Sequence, residues 1–155
     1  MPYLIDGHNL IPKLGLHLDS PDDEEDLLRE LQEFSRLRRM QVEVFFDQAP
    51  AGLAGTRKVG MLTVHSVRAG SSADAAIEAR LTGLGRQARN WTVVSSDGRI
   101  QRAAQAVHAR MQSSEELAGE ISRLRAAAAR EVKLEPKLGP QELDEWLELF
   151  GRRRG

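Results

Sequence analysis

The sequence contains no cysteine. This absence excludes disulfide frameworks, thiolate zinc sites and cysteine nucleophiles, and it fits a reducing compartment, so we expect a cytoplasmic protein. Long hydrophobic runs are missing too, and none approaches the roughly 18 residues needed to cross a membrane. The first residues show no basic segment followed by an apolar one. We therefore expect neither contact with a membrane nor a secretory signal.

An excess of one charge is also lacking, because 22 basic residues face 23 acidic residues and the net charge is −1. That balance excludes a globally basic nucleic-acid binder, but local patches decide whether a phosphate backbone can dock. One basic series is a candidate to hold RNA phosphates, with a solvated surface as the plain alternative for each residue taken singly: Arg36, Arg38, Arg39, Arg57, Lys58 and Arg68. The 155 residues, of which 41% are hydrophobic and 29% charged, are enough for one folded domain with a real core.

Short apolar runs end repeatedly in an acidic residue. Residues 3–5 lead into Asp6, residues 42–46 lead into Asp47, and residues 91–95 lead into Ser96 and Asp97. Unbroken apolar runs of this length are typical of parallel strands that are buried on both faces. Helical patterns between the runs predict right-handed crossovers. The sequence therefore predicts an α/β fold around a central, mainly parallel sheet.

The remaining segments of the sequence predict further helices, strands and a loop. The pattern predicts helices over 21–39, 73–84, 99–106 and 113–129, a loop over 48–60, and strands over 61–67 and 107–111. Ser20 is expected to cap the first helix, and Ser113 with Glu116 matches a capping box for the fourth. We divide the chain into a domain over 1–130 and a C-terminal part over 131–155. We expect that part to comprise a linker, a helix that packs on the body rather than binding a partner, and a basic tail.

The carboxyl ends of parallel strands meet at one edge of a sheet, where ligands bind in open α/β folds. We expect Asp6, Asp74 at a helix start, and Asp97 to converge there, with Asp47 as a fourth acid. Helical spacing puts Glu78 on the same helix face as Asp74. Several like charges at one edge repel each other unless a cation neutralises them, and oxygen-only ligands favour Mg²⁺ or Mn²⁺.

Such an ion keeps waters, lowers the pKa of one of them and steadies a pentavalent phosphate, which suits phosphodiester hydrolysis. Asn9 and Ser96, near the first and last acids, are candidates to orient a ligand or water. Each residue also has a plain structural interpretation, because aspartates form turns, cap helices and occur in first helical turns. His8 adjoins the predicted site, but a lone loop histidine is more often a bystander.

Four segments together resemble the NYN domain of the YacP type, in the PIN-like nuclease superfamily. They read IDGHNLI at 5–11, VFFD at 44–47, ADAAIE at 73–78 and VVSSD at 93–97. The resemblance covers about residues 1–130 and implies a PIN-like three-layer α/β/α sandwich. It also implies a metal-dependent endoribonuclease in which Asp6, Asp74 and Asp97 take the acidic metal-site roles. Members of the family are linked to mRNA decay on ribosomes, so association with RNA and the ribosome is an expectation.

One departure from the family pattern bears on function. Family members often carry a second acid directly after the one that matches Asp74, and here that residue is Ala75. Either Glu78 compensates or the site binds metal more weakly. A non-catalytic RNA- or ribosome-binding module is therefore the alternative. A phosphatase of the haloacid-dehalogenase type is disfavoured, because Asp6-Gly7-His8 lacks the second aspartate that those enzymes need.

Overall fold

A six-stranded sheet forms the centre of the fold. The computed structural model describes residues 2–16, 22–49 and 52–134. Its strands are β1 (Tyr3–Asp6), β2 (Val42–Ala49), β3 (Gly55–Val59), β4 (Leu62–Arg68), β5 (Thr92–Val94) and β6 (Arg110–Gln112). They lie in the order β3-β4-β2-β1-β5-β6, and every neighbouring pair is parallel except β3 with β4. The predicted, mainly parallel sheet is confirmed.

Helices connect most of these strands. They are α1 (Gly7–Leu10), α2 (Asp23–Arg38), α3 (Ala73–Leu84), α4 (Gly98–Ala106) and α5 (Ser114–Leu134), with 3-10 turns at Ile11–Leu14 and Gly85–Asn90. The predicted cap of α5 is present, since the Glu116 N–H donates to the Ser113 hydroxyl at 3.0 Å. Within the described ranges, no helix combines the length and the apolar character that crossing a bilayer requires.

Helices cover both faces of the sheet and bury the core between them. On one face, α3 and α4 pack against Leu4, Phe45 and Val93 of three adjacent strands. On the other face, Phe34 of α2 packs against Tyr3 of β1, with 5.6 Å between the ring centroids. The start of α5 shares this second side, because an ion pair joins it to the end of α2. The predicted three-layer α/β/α arrangement is therefore confirmed.

Contacts divide the chain into two compact units, Met1–Arg123 and Leu124–Gly155. The first unit contains the whole sheet. In the second, the structure describes the helical residues up to 134. The predicted domain boundary near residue 130 stays a prediction, and the Ser20 cap, most of the linker, the last helix and the basic tail lie outside the described residues.

The largest difference from the predicted elements is β3. A loop was expected over 48–60, but β2 continues to Ala49 and Gly55–Val59 form an antiparallel edge strand on β4. Four of its five residues are exposed, so the strand has no apolar alternation that a pattern could detect. The predicted strand over 107–111 begins only at Arg110, because His108 turns the chain with a φ of 60°.

Candidate active site at the carboxyl edge of the sheet

Four aspartates from different parts of the chain lie at the carboxyl edge of the sheet. Asp6 ends β1 and Asp47 lies near the end of β2. Asp74 is in the first turn of α3, and Asp97 is the N-cap residue of α4, just after β5. The parallel register of β1 with β2 and with β5 brings these ends together, because Asp6 pairs with Phe45 and the preceding residues pair with β5.

Asp6 is the buried member of the group, with a residue exposure of 7%. Burial raises the pKa of its carboxyl to about 6, and the negative charges of Asp74 and Asp47 add to the effect. Hydrogen bonds from the Ser95 hydroxyl and the Asn9 N–H oppose this rise in pKa only in part. The chain therefore holds an acid where a negative charge is unfavourable unless a cation is near.

The second pair of acids is coupled in the same way. Burial raises the pKa of Asp74, and the charge of Asp97 raises it further, whereas the charge of Arg99 lowers it. The Asp97 carboxylate also accepts the Arg99 N–H at 2.8 Å, so its structural role as a helix cap is real. Both oxygens of Glu78 meet the Arg99 guanidinium, at 2.6 Å and 3.4 Å. Glu78 thus lies beside the aspartates, but in an ion pair.

Asn9 and Ser96 connect the loop after β5 to the start of α5. The Asn9 side-chain oxygen accepts the Ser96 N–H at 2.9 Å and the Ser114 hydroxyl at 2.5 Å. The Ser96 hydroxyl donates to Glu115 at 2.6 Å and accepts the Ser114 N–H at 3.1 Å. These contacts engage both side chains within the protein. They hold the loop that carries Asp97, and direct catalytic roles for Asn9 and Ser96 stay a prediction.

Sequence reasoning missed Ser95, which lies between two of the acids. Its buried hydroxyl donates to Asp6 at 3.4 Å and accepts the Asp97 N–H at 3.0 Å. The Gln101 side chain also donates to the Ser95 carbonyl at 3.2 Å. Ser114 and Glu115 were missed as well. A serine after a strand and a polar residue at a helix start are so common that no pattern singles these residues out.

His8 contacts the site, contrary to the expectation that it is a bystander. Its Nδ1–H donates to an Asp47 oxygen at 2.7 Å, and its Nε2 lies 3.7 Å from a Glu24 oxygen. The ring also packs against Phe46, with 5.3 Å between the centroids. His8 therefore fixes the Asp47 carboxylate and links it to the first turn of α2.

The predicted RNA-binding residues do not form one group. Arg36, Arg38 and Arg39 lie at the end of α2, next to the amino end of β2. The start of α2 contacts His8 at the opposite edge, so these three arginines lie roughly 20 Å along the helix from the acids. The other three residues lie on the edge strand and its neighbour: Arg57, Lys58 and Arg68. Their role in binding RNA stays a prediction.

The donors present fit a hard divalent cation in chemistry and charge. They are carboxylate oxygens whose negative charges repel one another, and a bound Mg²⁺ or Mn²⁺ would neutralise this repulsion. In the part of the chain that the structure describes, no three His, Cys, Asp or Glu side chains are arranged to hold one ion together. Magnesium is usually bound through one or two carboxylates and keeps several waters, so this arrangement suits an ion held partly through water.

Comparison with known proteins agrees with the predicted family and fold. A family model described as YacP-like NYN domain matches residues 3–148. The structure is similar to the crystal structure of Rae1 (YacP) from Bacillus subtilis, with 26% sequence identity and a TM-score of 0.65, over 100% of this chain and 95% of that one. For a mutant of Rae1, the identity is 25% and the TM-score 0.71, over 94% and 89%. No curated protein matches the chain.

Proposed function

The chain belongs to the YacP-like NYN domain family, a nuclease-type family, and from this premise we propose that it is a metal-dependent endoribonuclease. One observation carries the proposal: carboxylates from β1, β2, α3 and the loop after β5 act on each other at one edge of the sheet. Mutual repulsion and burial make this arrangement costly for stability. Costly clusters of titratable groups are typical of functional sites.

Each residue has a part in the proposed reaction. Asp6, Asp74 and Asp97 would hold the cation, and Asp47 would lie beside them. Glu78 would compensate for the acid that is absent at Ala75. Bound Mg²⁺ or Mn²⁺ supplies Lewis-acid polarisation of the phosphate and a lower pKa for water. The oxygen of a water molecule bonds to phosphorus and the water gives up a proton. The bond from phosphorus to the 3′ oxygen breaks, and the 3′ oxygen takes up a proton. The products are a 5′-phosphate and a 3′-hydroxyl.

The supporting residues keep the acids in place. Ser95 bridges Asp6 and the Asp97 backbone, and His8 holds Asp47. Such contacts stop charged side chains from moving apart, which matters because misplacement by about 1 Å can cost a hundredfold in rate. The family resemblance supports messenger RNA as the substrate, met on the ribosome in the cytoplasm.

Replacing Asp97 by asparagine tests the proposal. We expect Asp97→Asn to lower RNA cleavage by about a hundredfold or more, because it removes a ligand charge. Asparagine is as good a helix cap as aspartate, so the fold should survive. Cleavage of end-labelled single-stranded RNA in Mn²⁺ measures the rate, and a thermal melt checks the fold.

The matched control is Glu33→Gln, which removes an exposed acid that pairs with Arg36 on α2. It should cut RNA at the wild-type rate. A folded Asp97→Asn protein that cuts as fast as the wild type would show that Asp97 has no part in the reaction.

A non-catalytic RNA-binding module is the second candidate. Ala75, where relatives often carry an acid, favours it, and so does the lack of a three-donor group among the described residues. Such a module would bind RNA equally well with and without EDTA and would give no product at any Mn²⁺ concentration. The nuclease proposal predicts product in Mn²⁺ and none in EDTA.

A further inference from the structure

A groove of about 450 Å³ runs between α3 and α4 and begins beside the acidic edge. Glu78 and Arg99 lie at the end near the acids, and Arg102 lies one helical turn further along α4. Half-buried Val107 lines the same groove, and the buried Leu81 lies beneath it. Basic side chains that line a groove suit the phosphate backbone of a single-stranded nucleic acid.

Arg99 is the cation next to the acids. Its guanidinium donates to Glu78, and that hydrogen bond raises the pKa of Arg99, with smaller contributions from the charges of Asp74 and Asp97. An arginine has five N–H donors, and the two nitrogens that meet Glu78 do not use all of them. The side chain is half exposed, so its remaining donors can reach a phosphate.

Arg102 lies on the same side of α4. A Cβ added to Gly98 would come within 3.1 Å of the Arg102 Nη1 atom, so this guanidinium folds back over the first residue of the helix. Both basic groups therefore lie close to the turn that carries Asp97. Glycine at position 98 leaves the space that this arrangement needs.

Electrostatics decides which basic residues can matter. A polyanion that approaches five carboxylates is repelled, and a cation offsets this only within a Debye length of about 8 Å at physiological ionic strength. The arginines at the end of α2 lie roughly 20 Å away along that helix, which is too far. Arg99 interacts with the charges of Asp74 and Asp97, and Arg102 lies over Gly98, the residue after Asp97.

We propose that the groove between α3 and α4 is the path by which the RNA backbone reaches the acidic edge, with Arg99 and Arg102 each binding a phosphate. The inference deepens the proposed nuclease function and rests on it for the choice of RNA as ligand. Of the predicted basic series, it replaces the three arginines at the end of α2 as the basic surface that serves the site.

Salt dependence of RNA binding tests the path. The full chain carrying Asp6→Asn, which is expected to be inactive, is titrated with fluorescent single-stranded RNA at fixed Mg²⁺ and varied NaCl. Each phosphate contact contributes about 0.7 to the slope of log K against log salt for single strands. We expect Arg99→Gln and Arg102→Gln each to lower the slope by about 0.7.

Two controls separate charge from structure. Arg102→Lys keeps the charge and should keep the slope. Arg89→Gln removes an exposed arginine just before β5, at the opposite edge of the sheet, and should leave the slope unchanged. The proposal is overturned if the slope falls with Arg36→Gln or Arg39→Gln while Arg102→Gln binds like its parent.

A parallel cleavage assay on the protein without Asp6→Asn distinguishes the two proposals. Suppose that Arg102→Gln lowers the slope of log K for RNA binding against log salt and that the wild-type protein cleaves no RNA. This result would refute the nuclease function but support the path. Cleavage by wild type with unchanged slopes in both arginine variants would refute the path alone.

Discussion

Asp6 is a single residue of the site that lowers the stability of the folded protein. The carboxyl is buried, and the charges of two further aspartates at the edge act on it. Its pKa rises from 3.8 to about 6, so the unfolded chain gives up the proton more readily than the folded chain does. Near neutral pH without a metal, the ionised Asp6 therefore destabilises the protein.

We predict that Asp6→Asn increases the free energy of unfolding by about 1–2 kcal/mol at pH 7.5 in EDTA, because it removes the buried charge. Asparagine still accepts the Ser95 hydrogen bond. The gain should shrink as the pH falls from 6 to about 4, where the wild-type carboxyl takes up its proton. Urea titrations of both proteins across this range measure it, and an Asp6→Asn protein less stable than wild type would contradict the account.

Glu43 is a buried acid of the opposite kind. Burial alone would raise its pKa, but hydrogen bonds from His65 and Arg80 outweigh burial and lower it to about 2. The His65 contact is 2.7 Å, and the closest contact to Arg80 is 2.9 Å. Arg80 also lies over the Trp91 ring, 5.3 Å from its centroid. This network fastens α3 to β2 and needs no cation from outside.

Glu43→Gln should therefore destabilise the protein by about 2 kcal/mol at neutral pH, because it leaves Arg80 without its charged partner. Because the pKa of Glu43 is lower in the folded protein, its ionised form stabilises the fold. This stabilisation is complete above pH 4.5 and is lost as the pH falls toward 2. The difference in free energy of unfolding between variant and wild type, measured by urea titration, should stay constant from pH 7 to pH 5 and narrow below pH 4.5. A gap that stays constant down to pH 3 would argue against an ionised Glu43.

Several of these residues could not be found from the sequence. Asp6, Asp47 and Asp97 follow apolar runs, and that position alone indicates a shared edge. Glu43 lies within β2 and Ser95 directly after β5, and neither carries a signal of its distant partner in the chain, which is Arg80 for Glu43 and Asp6 for Ser95. Hydrogen bonds between residues far apart in sequence become visible only once the sheet order is known.

At the level of elements, the turn from β1 into α1 depends on Gly7. A Cβ at this position would lie 2.4 Å from the Phe46 ring and 3.0 Å from the Phe45 carbonyl. The close approach lets α1 start directly after Asp6 and directs Asn9 toward the loop after β5. The glycine in the Asp-Gly-His-Asn motif is thus a packing requirement of the site.

Gly7→Ala should cost about 1–3 kcal/mol of stability, because the Phe46 ring or the backbone must move. Gly83→Ala is the matched control, since a Cβ added to Gly83 in α3 would meet no other part of the chain within 4 Å and alanine favours helices by about 1 kcal/mol. Thermal melts of the two variants should shift in opposite directions. Equal shifts would mean that the close contact at Gly7 does not constrain the fold.

Elements with a strong apolar pattern were predicted within a few residues. The three buried parallel strands β1, β2 and β5 and helices α2 and α3 are examples, since their periodicity follows directly from burial. The exposed strand β3 was missed because it pairs with β4 through its backbone and exposes most of its side chains, and backbone pairing produces no apolar pattern in the sequence.

For the whole molecule, sheet topology separates the charges more than composition suggests. A net charge of −1 conceals an acidic carboxyl edge and a basic end of α2 on the other side of the sheet. The separation explains why the arginines at the end of α2 and the acidic site do not coincide. It also leaves Arg99 and Arg102 as basic residues immediately beside the acids.

The central claim is that Asp6, Asp74 and Asp97 share one divalent cation. Anomalous scattering from a crystal soaked in Mn²⁺ tests it directly. We predict one strong peak at the carboxyl edge, within direct or water-mediated reach of all three carboxylates, and its loss in Asp74→Asn. A fully soaked wild-type crystal with no peak at this edge, or with manganese bound only elsewhere, would contradict the claim.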